Sequence, residues 1–572
     1  MFANIIQLLL NHCNCGSLLS FPTMTVFLPI LAILGALSPL FTLAWLWQLK
    51  EWRWDRLLEH LRREGWMGQL WGRTRPAILG MYAAVAMAAW WNGGMVEWRD
   101  GQMGKWAVIV ALLLLSGLTA VQIGLRRQRR PVFTKKTVTV TATAVLLTIL
   151  LAIFLGTHHP AWLPILVLLQ PLALATAWVL WYPVDTFLKN RIIARARSLR
   201  EKFPDLTVIG VTGSVGKTTT KELLACVLRD LQPAMTPAHV NSEIGVAQWL
   251  MQRLTPPLPA SAQRALGEGV GGWGYVIVEM GAYRKGEIST LCSFTKPTIG
   301  VITHIGTQHI ALFGSQEKLF EAKAELIASL PPDGRAFLNG DNALTRTMAA
   351  ISSCPTVIVG TGGQCDLEAF DIEETGSGIR FRLVRRSLSP AEASAKVGGE
   401  GEARDVLFEV PLHGTHNVTN VLLAIAVGEH LGVRLERMRE LLKTFAPLSQ
   451  TFSVRTEAGV RILDDTHNSS VASMKAAIAW ARTQPEEHKI LLAAGLIEMG
   501  DLQTSVEEEL GAIAGRVFER MIILDAASAR NFAASGAKNV EVYSKRSEKI
   551  EPGSLLVCTG RMSEKIFQSE NP

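Results

Sequence analysis

A glycine loop set between an apolar run and a helical pattern is the first stretch able to do chemistry. Val211-Thr212-Gly213-Ser214-Val215-Gly216-Lys217-Thr218-Thr219-Thr220 follows the apolar run Leu206–Gly210 and leads into Leu223, Leu224 and Val227 at helical spacing. Strand, glycine loop, Lys-Thr and helix is the arrangement that wraps phosphates. Gly213 and Gly216 free the backbone N–H groups to face a triphosphate, with Ser214 and Thr219 as further binding positions, and the helix N-terminus adds its dipole. Lys217 neutralises the β- and γ-phosphates, and the Thr218 hydroxyl offers an oxygen to Mg²⁺. The strict eight-residue pattern fails because Val211 stands at its first position. An accidental surface turn is the bland alternative, and the flanking strand and helix weigh against it.

Other residues could complete such a site. Tyr275–Glu279 is an apolar strand ending in a carboxylate, and ligands of open α/β sheets lie at the carboxyl ends of strands, so Glu279 is placed to hold Mg²⁺. His309 follows the buried strand Ile299–Ile302 and offers an imidazole to a second metal. Read alone, Glu279 is a strand-end surface charge and His309 a loop histidine; the phosphate loop upstream makes the ligand reading the better one. Lys323 lies on a helix, Glu317–Leu330, beside Lys318, Glu321 and Glu325, where composition alone describes a solvated charge. Asn339 and Asp341 follow the short strand Ala336–Leu338. His416 and Asn417 open a helix of small apolar residues, where capping is the alternative role. Asp464 and Asp465 end the strand Val460–Leu463.

The elements that position these residues occupy only part of the chain. Its 572 residues carry 57 Lys and Arg against 50 Asp and Glu, a net charge of +7. That figure, with a pI near 9.0, could indicate a nucleic-acid binder. The distribution excludes it: residues 1–202 hold 21 basic and 8 acidic side chains (+13), and the remainder 36 and 42 (−6). Thirteen of the 16 Trp fall in the first part. A mean hydropathy of +0.22 also excludes a disordered chain. Cysteines form no C-x-x-C pair, so neither a zinc site nor a disulfide framework is expected.

The first part reads as a membrane domain. Five apolar stretches, Phe27–Gln48, Pro76–Asn92, Trp106–Leu125, Thr137–Leu155 and Trp162–Val184, approach or exceed the ~20 residues that span a bilayer, and none contains Lys, Arg, Asp or Glu. Basic residues concentrate in the loops after spans one, three and five, which places those loops and the whole C-terminal part on the cytoplasmic side of the inner membrane, with the N-terminus outside. Met1–Ser20 lacks the basic n-region of a cleaved signal peptide. Glu51–Arg63 has the spacing of an amphipathic helix on the inner headgroups. The expected division is a transmembrane domain over 1–185, a basic linker over 186–204, a central ATP-binding domain over 205–446 with a mostly parallel sheet, and a smaller α/β domain over 447–572. Segment 387–405, rich in Ser, Ala, Gly and charge, reads as a loop.

The ordered motifs of residues 206–500 resemble the Mur ligases, the ATP-dependent peptide synthetases of cell-wall precursor assembly. They are Thr212–Thr219, Asn241-Ser242-Glu243-Ile244-Gly245, Glu279-Met280-Gly281-Ala282, Thr303-His304-Ile305-Gly306 with His309, Ala322-Lys323-Ala324-Glu325, Asn339-Gly340-Asp341-Asn342, Gly414-Thr415-His416-Asn417, Asp464-Asp465-Thr466-His467-Asn468 and Glu498-Met499-Gly500. The set is most similar to the branch that adds D-alanyl-D-alanine to a UDP-N-acetylmuramoyl-tripeptide. The resemblance implies a P-loop α/β fold, ATP, and two Mg²⁺ ions held through Thr218, Glu279, His309 and a carbamylated Lys323. It also implies that Asn339, Asp341, His416 and Asn417 line the nucleotide pocket and that Asp465 closes on it from the last domain. Lys217, Lys323 and His309 would then be catalytic. A carboxylate of a UDP-linked or lipid-linked precursor would be activated as an acyl phosphate and captured by the amine of an amino acid or of D-alanyl-D-alanine.

Some positions depart from the family pattern. Membrane spans stand where relatives bind the UDP end, Pro447–Thr451 lacks a Gly-Arg pair, His467 replaces a Tyr, and Leu556–Arg561 lacks Lys-Gly-Ser. Rival readings are a membrane transporter driven by a P-loop ATPase, an inactive ligase-like scaffold for wall synthesis, and a ligase that adds glutamate to folate. The missing ABC signature and the charge-free spans weigh against the transporter.

Overall fold

The structure, a computed structural model, describes residues 21–100, 102–125, 128–255, 274–306, 310–385, 406–467, 470–496, 499, 502–543 and 550–560. Met1–Ser20, His309, the loop 387–405 and Glu498 lie outside the described residues. The chain divides into two compact units, Met1–Leu188 and Lys189–Pro572.

The first unit is helical, with long helices Phe21–Leu49, Thr74–Asp100, Gln102–Gly124 and Lys135–His158. Among the described residues three segments are long and apolar enough to cross a membrane: Val26–Leu49, Trp106–Gly124 and Lys135–His158. The expected fifth span is not one straight helix. A 3-10 segment, Pro160–Val167, meets the helix Gln170–Arg200 at 74°, which makes a broken span or a re-entrant loop. Pro160, Pro164 and Pro171 remove backbone donors around this break. The expected second span lies in helix Thr74–Asp100, which is not among the three. Among the described residues the count is therefore three, or four with the bent pair, and not five. Apolar composition reported the length of each run and not its straightness.

Small residues let the helices of this unit approach. A Cβ on Gly35 would lie 3.2 Å from Leu115 Cβ of the helix Gln102–Gly124. Buried polar groups pair between helices: Arg75 donates to Ser38 Oγ at 2.9 Å and Gln122 Oε1 at 2.7 Å. The outward faces stay apolar, with Leu146, Leu150 and Phe154 exposed.

The second unit contains two sheets. The first comprises β1 Thr207–Thr212, β2 Ala234–Met235, β3 Tyr275–Glu279, β4 Ile299–Ile302, β5 Arg335–Asn339, β6 Thr356–Gly360, β7 Leu367–Thr375, β8 Gly378–Arg385 and β9 Val406–Val410. Their order is β2-β3-β1-β4-β5-β6-β7-β8-β9. Strands β2 through β7 pair in parallel, and β7, β8 and β9 pair antiparallel. Successive side chains feed opposite layers: Val208 joins one apolar core and Ile209 the other, which accounts for the unbroken apolar runs. Strand β1 has β3 on one side and β4 on the other, with Val211 level with Glu279 and Thr212 with Ile302. The chain switches direction across the sheet there, and a crevice opens beyond the carboxyl ends of the strands.

The second sheet comprises β10 Ser453–Glu457, β11 Val460–Asp465, β12 Lys489–Ala493, β13 Arg520–Ile523, β14 Val540–Val542 and β15 Leu555–Thr559, in the order β10-β11-β15-β12-β13-β14. Only β10 and β11 pair antiparallel among these. Leu463 and Ile462 again serve opposite cores. The expected α/β architecture with mostly parallel sheets is present.

Candidate active site

Strand β1 ends at Thr212 and the helix Lys217–Val227 begins five residues later, capped by Gly216. The turn between them demands glycine twice. Gly213 has φ +152°, and a Cβ there would collide with Thr303 Oγ1. Gly216 has φ +86°, and its Cβ would lie 2.7 Å from Asn420 Oδ1. Left-handed backbone costs a non-glycine residue about 1–2 kcal/mol. Gly216→Ala is therefore expected to weaken nucleotide binding about tenfold, measured with a fluorescent ATP analogue.

Lys217 curls over the loop, donating to the carbonyls of Gly213 at 2.8 Å and Ser214 at 3.0 Å. Burial holds its pKa below the usual lysine range, partly opposed by Glu279. Among the described residues the buried Ser214 Oγ has no hydrogen-bond partner. An orphaned hydroxyl, a lysine and a helix N-terminus converging on one loop fit a phosphate group.

Glu279, at the end of β3, is buried and its two oxygens are engaged separately. Oε2 accepts from Thr218 Oγ1 at 3.1 Å and lies 3.5 Å from Lys221 Nζ; Oε1 accepts from Asn241 Nδ2 at 3.1 Å. Thr218 and Glu279 are thus adjacent oxygen donors. Magnesium is commonly held by one or two carboxylates plus substrate phosphates and waters, and this pair fits that requirement. Among the described residues no group of three or more His, Cys, Asp or Glu could hold a metal on its own.

Lys323 overturns the solvated-charge alternative. It is only 3% exposed on the helix Gln316–Ala328. Burial, with Lys217 nearby, lowers its pKa to about 7. At neutral pH a large fraction of its amines is uncharged and nucleophilic.

One cavity gathers these groups. It is lined by the loop from Gly213 to Thr219, by Asn241, Glu279 and Lys323, by His416, Asn417 and Asn420, and by Phe452, Asp465, His467 and Ser473 from the second sheet's side. His416 occupies the N-cap of the helix Asn417–His430 and makes no capping bond, so the capping alternative is not realised. Its ring packs edge-on against Phe452, centroids 4.9 Å apart. Asn339 and Asp341 do not line the cavity. Asn339 Oδ1 accepts from Asp341 N, and Asp341 holds Thr361 N, Gly362 N and Thr419 Oγ1, behind the helix that carries Asn417.

Asp465 accepts from the Ser473 hydroxyl and is 5% exposed. Burial, with Asp464 adding, outweighs that hydrogen bond and raises its pKa to about 6. A carboxyl with a raised folded pKa binds its proton more tightly folded than unfolded, so stability is lost as pH rises from the unfolded value toward 6. Asp465→Asn is expected to match the wild type near pH 4 and to be more stable near pH 7, by on the order of 3 kcal/mol, in denaturant titrations at the two pH values.

The sequence alone assigned no individual role to Lys221, Thr303, Asn420 or Phe452. Lys221 is fully buried, donates to Thr236 O at 2.9 Å and neutralises Glu279. Its spacing of four from Lys217, placing both on one side of the phosphate-loop helix, was the available signal.

Residues 211–428 match the family model of the Mur ligase middle domain. The chain is 32% identical over 352 residues to a UDP-N-acetylmuramoyl-tripeptide–D-alanyl-D-alanine ligase of Synechocystis, covering 61% of this chain and 68% of that protein. The chain belongs to the Mur ligase family. The ligase of the same name from Bacillus subtilis is 31% identical over 309 residues, covering 54% of this Mur ligase and only 60% of the relative. Among solved structures, MurF from Acinetobacter baumannii aligns with a TM-score of 0.56 at 23% identity, over 67% of this chain and 80% of that one. MurF from Thermotoga maritima in complex with ADP gives 0.54 at 23%, over 67% and 83%. At that identity the two structures establish the shared fold.

Proposed function

We propose that this Mur ligase is an ATP-dependent amide ligase of peptidoglycan precursor synthesis, which joins the amine of D-alanyl-D-alanine, or of an amino acid, to a precursor carboxylate. The observation that carries this reading is the single cavity in which the phosphate loop, Glu279 and Lys323 face Asp465 across from the second sheet. The named ligases of Synechocystis and Bacillus subtilis support the choice of substrates.

A carboxylate resists attack by an amine until one oxygen becomes a leaving group. Transfer of the γ-phosphoryl group of ATP supplies that activation, and the amine then displaces phosphate. The chain's part is to hold and to neutralise. Lys217 and the loop N–H groups fix the triphosphate, and Thr218 with Glu279 would hold Mg²⁺, which offsets charge on the transferring group. A second ion would fall to a carbamylated Lys323 and to His309. The lowered pKa of Lys323 supports this, because only the uncharged amine adds CO₂. Asn339 and Asp341 would shape the nucleoside end from behind Asn417. Closure of the 447–572 domain on the 205–446 domain would bring Asp465 to the nucleotide and exclude water.

The site of action is proposed to be the inner membrane face, with the 1–185 domain as a multi-pass anchor, the 186–204 linker on the cytoplasmic side and the precursor UDP-linked or lipid-linked. Three apolar helices with exposed Leu, Ile and Phe, and the clustered basic loops, support this. The test is phosphate release by the purified chain across UDP-linked and lipid-linked precursors, each with D-alanyl-D-alanine. Release that requires ATP, carboxylate and amine together is expected; hydrolysis indifferent to the last two contradicts the reading.

A further inference from the structure

Glu374, at the end of β7, collects four contacts from three directions. Its Oε1 lies 2.8 Å from His413 Nδ1 and accepts from Trp480 Nε1 at 3.0 Å and Gly414 N at 3.2 Å; Oε2 accepts from Gly414 N at 3.1 Å. His413 and Gly414 precede the helix that carries His416, Asn417 and Asn420. Trp480 lies on the helix Val471–Thr483 packed on the second sheet. A single carboxylate therefore joins the nucleotide side of the cavity to the element bearing Ser473.

The connection continues inward to the phosphate loop. Asn417 Nδ2 donates to His413 O at 2.8 Å, Asn420 Nδ2 to Asn417 Oδ1 at 2.8 Å, and Thr220 Oγ1 to Asn420 Oδ1 at 3.3 Å. Asn420 is also the group that a side chain at Gly216 would strike. On the other side, Trp480 packs edge-on against Phe452 with centroids 6.4 Å apart, and Phe452 against His416 at 4.9 Å. Gly414 is held between them: a Cβ there would lie 2.5 Å from the His416 ring and 3.0 Å from Phe452. Two routes, one of hydrogen bonds and one of rings, converge on Glu374 and Trp480.

We propose that Glu374 is a positioning residue that fixes the His413–Asn417 turn against the phosphate loop and, through Trp480, sets the second sheet's side of the cavity, the wall left for the amine-bearing substrate once the phosphate loop takes the nucleotide. Glu374 touches no reacting group; it acts through His416, Asn417 and Phe452. The inference rests on the proposed ligase function for the amine and on the phosphate loop for the nucleotide, and the two are tested separately.

The experiment compares E374A, E374Q and W480F with the wild type, using the full chain and E373A as a surface control. Nucleotide affinity is read with a fluorescent ATP analogue and Mg²⁺, and KM is read separately for ATP and for D-alanyl-D-alanine. E374A, which removes the carboxylate shared by His413, Gly414 N and Trp480 Nε1, is expected to raise the analogue Kd about tenfold. E374Q keeps Oε1, which makes three of the four contacts, and is expected to restore Kd to within about threefold of the wild type. W480F keeps the ring and loses one donor; it is expected to leave Kd and the ATP KM within about twofold while raising the amine-substrate KM about fivefold. A purely structural role would lower the melting temperature and move all parameters together. Unchanged nucleotide binding by E374A, or equal shifts of both KM values in W480F, overturns the proposal. If E374A fails to fold, the KM split of W480F decides alone. Failure of the wild type to bind nucleotide counts against the phosphate site itself; binding without any ligation counts against the ligase reading and leaves the E374A result standing.

Discussion

Lys217→Ala is expected to lower kcat/KM for substrate-dependent phosphate release by at least about 10³-fold while leaving the fold intact. The side chain is half-buried, and among the described residues its ammonium contacts the carbonyls of Gly213 and Ser214 rather than a carboxylate, so the cation is poised for an anion that arrives with the substrate. Burial disfavours the charged form there, and an incoming triphosphate repays that cost, so binding and charge recovery are coupled. Removing the ammonium deletes a charge stabilisation used most strongly at phosphoryl transfer, and kcat should fall more than ATP affinity. Steady-state phosphate release with circular dichroism as a folding check measures both. The same variant separates an enzyme from a scaffold: cells that depend on scaffolding alone keep their phenotype with Lys217→Ala.

Glu279→Gln is the second large effect, and it acts on two properties with different signatures. The carboxylate shares Oε2 between Thr218 and the fully buried Lys221. The amide keeps the shape but loses the charge that would hold Mg²⁺, so activity should fall about 10²–10³-fold, and the Mg²⁺-dependent gain in nucleotide affinity should vanish. Lys221 would meanwhile lose one of its two carboxylate partners while keeping Glu222 Oε1 at 3.6 Å, at a cost of about 1–2 kcal/mol. Adding Lys221→Met to Glu279→Gln should recover stability without recovering Mg²⁺ dependence. Nucleotide titrations with Mg²⁺ and with EDTA, beside thermal melts, read the two effects independently.

The parts of the site legible in the sequence were those with local signatures. Strands β3 and β4 were placed to the residue, because a short apolar run bounded by glycine, proline or polar residues marks a buried strand, and in β3 the carboxylate that closes the run also marks its functional edge. Gly213 and Gly216 marked the phosphate loop, and both take the positive φ that such a turn requires. What sequence did not carry was long-range. Lys323 and Lys318 share one helix and read alike, and only the packing of Gln316–Ala328 on β1 and β4 buries one of them. Asn420, Trp480 and Glu374 are separated by tens of residues and meet only in the folded chain. Asn339 and Asp341 were placed in the pocket by resemblance, whereas Asn339 Oδ1 and the Asp341 carboxylate are spent on backbone N–H groups and Thr419. In the helical unit the prolines around residue 164 broke a run that composition alone presents as continuous.

The central claim is that ATP activates a carboxylate for capture by an amine, and oxygen transfer tests it most directly. A precursor whose reacting carboxylate is labelled with ¹⁸O is incubated with the chain, ATP, Mg²⁺ and D-alanyl-D-alanine, and the released phosphate is analysed by mass spectrometry. One labelled oxygen in each phosphate, matched by one amide formed, is the predicted result; phosphate released without label contradicts activation of the carboxylate and with it the ligase mechanism.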